Sequence, residues 1–250
     1  MKKLVLIGSL LLLTFNNIFA QNIYSKTFGK QTHPALIFLH GGPGYNAASF
    51  EFTTAQQLAE ARFFVVVYDR RGEGRSIDAK AKYNFEQTFN DLNQLYDQFK
   101  IKQATLLGHS FGGIVATLYA EKFLKKIKSV IMIGAPVALQ ETFQTILKRV
   151  KKVYEAKNDQ TNLKYVAMLE KMDKKSIQYS SYCFVHAMQN GFYTPKKITP
   201  EAQKIYGQFK TNESLKKYAR QMGYAAPQGF WKNEQYTTID LTNAIKKLCF

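Results

Sequence analysis

Four continuous apolar runs mark the first half of the chain: PALIFLH (34–40), RFFVVVYD (62–69), ATLLGHS (104–110) and SVIMIGAP (129–136). An apolar run without alternation is the pattern of a strand covered on both faces, and the β-branched residues of the second run favour a strand over a helix. Between the runs the period lengthens. Residues 51–61, 86–100 and 111–123 carry helical patterns, and Phe89, Leu92, Leu95, Tyr96 and Phe99 fall on one face of the second. Strand and helix alternating at this spacing predict an α/β fold, a parallel sheet with helices on both sides. NIYSKTFGK (22–30) predicts an edge strand.

After Pro136 no strand-like run interrupts the pattern. Leu139, Phe143, Ile146, Leu147, Val150, Val153 and Tyr154 repeat at helical spacing. Further helices are predicted over 162–173, 176–190, 200–209 and 213–222, with Gly191 as a C-cap. A helical stretch of this length following a parallel strand reads as a cap or lid inserted over the sheet. The expected organisation is a core over 21–136, a helical cap over 137–240, and the start of a further core strand over 241–250, where KKLCF ends the chain.

The first residues, MKKLVLIGSLLLLTFNNIFAQ, join Lys2 and Lys3 to an apolar core from Leu4 to Phe15, with Ile18 and Ala20 at −3 and −1 of a cleavage before Gln21. That is the layout of a secretory signal peptide over 1–20, and it is too short for a membrane span. No cysteine follows the cut, so neither a lipid anchor nor any other stable membrane anchor is expected. Cleavage would release a secreted or periplasmic chain. Cys183 and Cys249 are the only cysteines, too few for a disulfide framework, and no His/Cys cluster has metal-ligand spacing, so no metal is expected.

The formal charge is +17, or +15 without Lys2 and Lys3. Much of the lysine lies on the patterned helices between 148 and 217, where it reads first as a solvated face and second as an attraction to anionic polymers or membrane surfaces. No nucleic-acid-binding motif is present, so no nucleic-acid partner is expected.

Three motifs carry chemistry, each at the end of an apolar run. The first is G-x-S-x-G at Gly108, His109, Ser110, Phe111 and Gly112. A sharp strand-to-helix turn requires small residues at its flanks, exposes the serine hydroxyl above the sheet, and aims the N–H groups of the following helix at developing negative charge. The second is HGGPG (40–44). Its paired glycines let backbone N–H groups approach an oxyanion, so the predicted hole uses the N–H of Gly42, or alternatively Gly41, with that of Phe111. His40 belongs to this loop and reads as structural. The third is YDRRGEGRS (68–76), in which Asp69 is expected to orient the loop through Arg70, Arg71 or Arg75.

HGGPG, DRRGEGRS and GHSFGG, in this order and on these strands, resemble the α/β-hydrolase superfamily, and within it the proline iminopeptidase-like branch. That branch usually carries Trp where Phe111 stands. The resemblance begins near residue 24 and runs on to FWKNEQYTTIDLTNAIKKLCF (230–250), which is similar to the end of the branch's cap. It implies a serine hydrolase acting on a small peptide, ester or amide substrate, through an acyl-enzyme on Ser110, with no cofactor. Peptidase and esterase activity are not separated at this stage. An aminopeptidase needs a carboxylate for the substrate ammonium, and Glu141, Glu155, Glu170, Glu201, Glu213 and Glu234 are candidates, each also readable as a solvated charge. Phe192, Tyr193, Phe230 and Trp231 line a pocket or pack the cap; the pattern does not separate the two. The substrate-binding residues are not identified.

The same resemblance implies an Asp and then a His after the serine. The only later histidine is His186, on a predicted cap helix, where it reads as a satisfied cap residue before a pocket contact or a relocated base. Asp240 precedes the expected strand and reads as a loop or cap residue. No triad Asp or His is identified. The expectation is a C-terminally truncated hydrolase lacking roughly 50–70 residues. Such a chain would turn over poorly and would leave a sheet edge open to self-association. A non-catalytic relative that binds a ligand under the cap is the competing reading.

Overall fold

Five strands form one sheet in the order β1-β3-β2-β4-β5 in the computed structural model, which describes residues 23–248. The predicted leader, its Ala20/Gln21 junction and Cys249 lie outside the described residues. The strands are β1 (Ser25–Phe28), β2 (Ala35–Leu39), β3 (Phe64–Tyr68), β4 (Ala104–His109) and β5 (Ile127–Ile133). β1 runs antiparallel to β3 at one edge; the other neighbours are parallel. The predicted mostly parallel sheet and its weak N-terminal edge strand are both present.

Side chains alternate across the sheet, so each of the first three apolar runs supplies two cores. Ile37, Leu39, Val66, Tyr68 and Leu106 face α3 (Phe85–Gln98) and α4 (Phe111–Lys122). Leu36, Phe38, Val65, Val67 and Leu107 face the opposite side, where α1 (Ala48–Thr53) and α2 (Ala55–Glu60) pack and the Phe38 and Phe50 rings stack at 3.8 Å. The Asn84 side chain caps α3 by accepting the Gln87 N–H at 2.9 Å, and Phe89, Leu92, Leu95 and Tyr96 bury the predicted stripe.

Two sequence expectations need correction here. The helix expected over 51–61 is broken at Thr54, because its two halves serve different partners: α2 lies along β1 and β3, whereas α1 turns toward the cap helix α9 (Glu213–Ala219). SVIMIGAP forms β5 but is not covered on both faces. Among the described residues β5 has a neighbour on one side only, and Ile131 and Ile133 are exposed.

The chain leaves the sheet after β5 and returns beside its own exit. Leu139 N–H donates to the Ile239 carbonyl at 3.0 Å, and Leu241 N–H donates to that of Val137 at 2.8 Å. This two-stranded neck closes off α5 (Leu139–Ala156), α6 (Gln160–Lys171), α7 (Ile177–Gln189), α8 (Pro200–Thr211), α9 and α10 (Ala225–Glu234). Gly191, with φ of +70°, closes α7: its N–H and that of Phe192 return to the Met188 and Ala187 carbonyls. Asp240 sits in the neck and accepts the Thr242 N–H at 2.8 Å, opening the next helix. Cys183 is a buried free thiol, which burial pushes up to about 11.

The strand expected to begin at KKLCF is not found over 246–248, its described part. Thr242–Leu248 is a helix, α11, packed on α4, and Leu241, Ala244 and Ile245 turn to the core at helical spacing.

Candidate active site

Ser110 sits at the C-terminal end of β4 with φ of 51° and ψ of −121°, a left-handed conformation that a non-glycine residue adopts only when its surroundings enforce it. The enforcement is visible in the flanking glycines. A Cβ on Gly108 would stand 2.5 Å from the Gly112 carbonyl oxygen, and one on Gly112 would collide with the Leu39 carbonyl. Strand β4, helix α4 and the end of β2 therefore meet at a distance only glycine allows, and the residue between them is pushed outward. Ser110 N–H is anchored to the Ile133 carbonyl at 2.9 Å. Its side chain is half-buried and, among the described residues, its hydroxyl has no hydrogen-bond partner.

The HGGPG loop passes directly over this serine. The position of a Cβ on Gly41 would lie 3.2 Å from Ser110 Cβ. The loop is held from behind by Arg70. Its guanidinium donates to the His40 carbonyl and, at 2.6 Å, to the Gly41 carbonyl. In a trans peptide the N–H lies opposite the C=O. Fixing these two carbonyls therefore turns the N–H groups of Gly41 and Gly42 away from Arg70. Neither they nor the Phe111 N–H donates to a protein acceptor among the described residues.

Arg70 is itself held by Glu73, with Nε to Oε1 at 2.8 Å and a second bond at 3.0 Å, and both side chains are almost wholly buried. Glu73 also accepts the Gly44 N–H at 2.6 Å, so the ion pair grips both ends of the loop. The Phe111 ring lies 5.2 Å from the guanidinium, and on its other sides meets Phe85, Phe230 and Tyr236. The sequence reading missed Glu73 altogether; the only signal was the i, i+3 charge pair inside RRGE.

Asp69 is an organiser, as expected, but of the three arginines only Arg75 is its partner. Asp69 accepts Arg75 Nε and N–H at 2.7 and 2.8 Å and the Ala47 N–H at 2.8 Å. Arg75 also pairs with Glu51, and its guanidinium lies 3.6 Å from the Tyr24 ring centroid and 5.3 Å from that of Tyr218. Arg71 pairs with Asp91 and Asp78 instead. The cap is tied to the same loops: Gly223 N–H donates to the Gly44 carbonyl at 2.7 Å, Asn46 Nδ2 to that of Tyr218 at 2.8 Å, and the Tyr45 hydroxyl to that of Ala219 at 2.9 Å.

All four histidines of the chain fall among the described residues, and none bonds to Ser110. His40 is buried with both ring nitrogens committed. Nε2 accepts the Arg70 N–H at 3.0 Å, which places the proton on Nδ1, facing the Gly41 carbonyl at 2.8 Å. Burial, and then the Arg70 charge, hold its pKa well below the usual imidazole value. His33 precedes β2, at the end of the parallel sheet opposite Ser110. His186 is on α7, where Tyr154 Oη stands 2.8 Å from Nδ1 and Asn190 donates to the same hydroxyl. It is the satisfied cap residue the sequence suggested first. His109 packs beside Gly41, and burial lowers its pKa. Asp240, in the neck, is not part of the site. Among the described residues no group of three or more His, Cys, Asp or Glu is placed to hold a metal ion.

A parallel sheet, a left-handed serine between glycines and a glycine loop above it define a hydrolase architecture, and comparison with known proteins gives the same answer. The chain belongs to the α/β-hydrolase fold family, whose model matches residues 34–237. It is similar to a proline iminopeptidase of Saccharolobus solfataricus, 31% identical over 171 residues, covering 61% of this chain and 53% of that protein. It is also similar to 3-oxoadipate enol-lactonase 2 of Acinetobacter baylyi, 33% identical over 117 residues, covering 46% of this chain and 42% of that one. Among solved structures, a proline iminopeptidase-related protein from Thermus thermophilus shares the fold, with a TM-score of 0.56 and 21% identity over 88% of this chain and 71% of that one. The chain thus resembles the proline iminopeptidase-like branch, as its HGGPG loop indicated. It spans about half the length of the curated relatives it matches.

Proposed function

We propose that this chain is the nucleophile-bearing part of a serine hydrolase that works through an acyl-enzyme. Ser110 Oγ attacks the carbonyl of a small peptide, ester or amide, and the oxyanion is held by the N–H groups of Phe111 and Gly42. The observation that carries this reading is the unpartnered Ser110 hydroxyl beneath a glycine loop whose carbonyls Arg70 has turned aside. Donors fixed in place before the reaction stabilise developing charge without a reorganisation cost. No cofactor takes part in these steps.

Since none of the chain's histidines reaches Ser110, nothing described takes the serine proton or activates water for deacylation. In a well-studied serine protease, loss of the histidine costs on the order of a million-fold in kcat, leaving the residual supplied by the oxyanion hole and binding. The 250-residue polypeptide therefore acylates slowly and deacylates more slowly still. Burst kinetics with p-nitrophenyl acetate test this: a slow, Ser110-dependent release without sustained turnover is expected, and robust turnover that Ser110→Ala abolishes would contradict it.

Proline iminopeptidase-like exopeptidase action is the leading substrate reading, on the strength of the relatives. One observation favours ester or amide substrates instead. Three of the candidate cap carboxylates already have partners: Glu170 pairs with Lys151, Glu213 with Lys216, and Glu234 accepts the Phe85 N–H. Comparing Ser110-dependent release from proline p-nitroanilide and from p-nitrophenyl acetate separates the two. Export through cleavage between Ala20 and Gln21 belongs to the same proposal, and N-terminal sequencing of protein recovered outside the cytoplasm tests it.

A further inference from the structure

In a chain carrying +17, helix α7 has no Asp, Glu, Lys or Arg in its 13 residues. One face of α7 packs on α5 through buried Tyr179, Cys183 and Ala187. Its other face puts Tyr182 and Met188 into solvent at 52% and 59% exposure, with Val185 between them. The adjacent α6 does the same with Tyr165 and Met168, exposed at 53% and 62%. Between the two helices runs a groove of about 340 Å³ lined by Tyr165, Met168, Met172, Tyr182, Val185, His186 and neighbours, with no carboxylate among them, and Met188 stands beside it on the same exposed face. Lys164 and Lys171 stand four and three residues from Met168 on α6, on its side of the helix, and both are exposed.

We propose that this face of α6 and α7 is a docking surface for an anionic lipid bilayer, on which the protein adsorbs. No helix among the described residues is long and apolar enough to span one. The chemistry of the surface selects that partner. Tyrosine is amphipathic and methionine flexible, so both enter the headgroup boundary without a fitted pocket, while flanking lysines keep their ammonium groups with lipid phosphates. The net positive charge of the whole chain adds diffuse attraction to an anionic surface. A second copy is a poor occupant, because pairing would oppose two strongly cationic molecules and bring Lys164 and Lys171 against their equivalents. A folded acidic protein would need charges across the face to fix its register, and α7 offers none.

Flotation of the full chain with phosphatidylglycerol vesicles, and separately with phosphatidylcholine vesicles, tests the proposal. Binding to the first and not the second is expected. The triple variant Met168→Gln/Tyr182→Gln/Met188→Gln, all at exposed positions, should lose about tenfold or more in partitioning. Lys164→Gln/Lys171→Gln should lose less, and only at low salt. Circular dichroism melts establish that both variants are folded. Equal binding by wild type and triple variant would place the contact elsewhere, for instance at the apolar N-terminal run, and overturn the proposal. So would absence of binding to phosphatidylglycerol, equal binding to both lipids, or a wild-type dimer that the triple variant dissolves.

Discussion

The loops around Ser110 and the outer cap are built by opposite means. Within residues 40–76 the charged groups that hold the loops are paired: Arg70, Glu73, Asp69 and Arg75 are buried or nearly so, and each makes several charge-assisted bonds to backbone or to other side chains. The α6–α7 face leaves tyrosine and methionine in water and offers few ion pairs. The first region spends buried charge to hold a few peptide planes at fixed angles, which reaction chemistry requires. The second needs only helices that stay folded while their surface stays adaptable. Perturbation should therefore be costly and local in the first region and mild in the second.

The largest effect expected is from Arg70→Ala. It leaves Glu73 buried without its counter-charge, and breaking a buried pair from one side costs about 3–5 kcal/mol; urea unfolding measures it. The matched control, Lys216→Ala, removes a solvent-exposed partner of Glu213 and should leave the midpoint unchanged within error. Gly112→Ala comes next. Its methyl collides with the Leu39 carbonyl, and overpacking of this kind costs about 1–3 kcal/mol. Asn84→Ala, which strips the cap of α3, should cost about 1 kcal/mol in the same assay.

The smallest effect is a pH slope. His40, His109 and His186 all have pKa values lowered by burial in the folded protein. As pH falls below the ordinary imidazole value of 6.5, the unfolded chain takes up protons that the fold refuses. The stability these groups contribute at neutral pH is therefore lost as pH drops toward their folded values. Unfolding midpoints should decline on acidification from 6.5, and His40→Asn, though less stable overall, should decline less steeply.

The same contrast decided what the sequence could reveal. Fully buried strands declare themselves in unbroken apolar runs, and the elbow and the glycine loop declare themselves because close approach admits only glycine. The cap helices α5 to α9 were legible from their period to within a few residues; α10 was not, since Pro227 and Gly229 interrupt its pattern. Three further things were not. The break at Thr54 depends on α1 and α2 meeting different partners, which no local pattern encodes. The short segment 242–248 carries too few apolar positions to separate helix from strand, and its packing on α4 decides. The pairing of Asp69 with Arg75 rather than its neighbour Arg70 follows from how the DRRGEGRS loop folds back, since Arg70 is drawn to the carbonyls of residues 40 and 41 and to Glu73. Charges adjacent in sequence were thus legible as a network, but not as pairs.

In the proposed function Ser110 is the acyl acceptor, and no other described residue takes its place. Peptide mapping by mass spectrometry after treatment of the folded chain with p-nitrophenyl acetate tests it most directly. The expected result is an acetyl group on Ser110 that persists because deacylation is slow, accumulates more slowly in Arg70→Lys, and is absent from Ser110→Ala. Acetylation confined to lysines, at the same rate in wild type and Ser110→Ala, would contradict it.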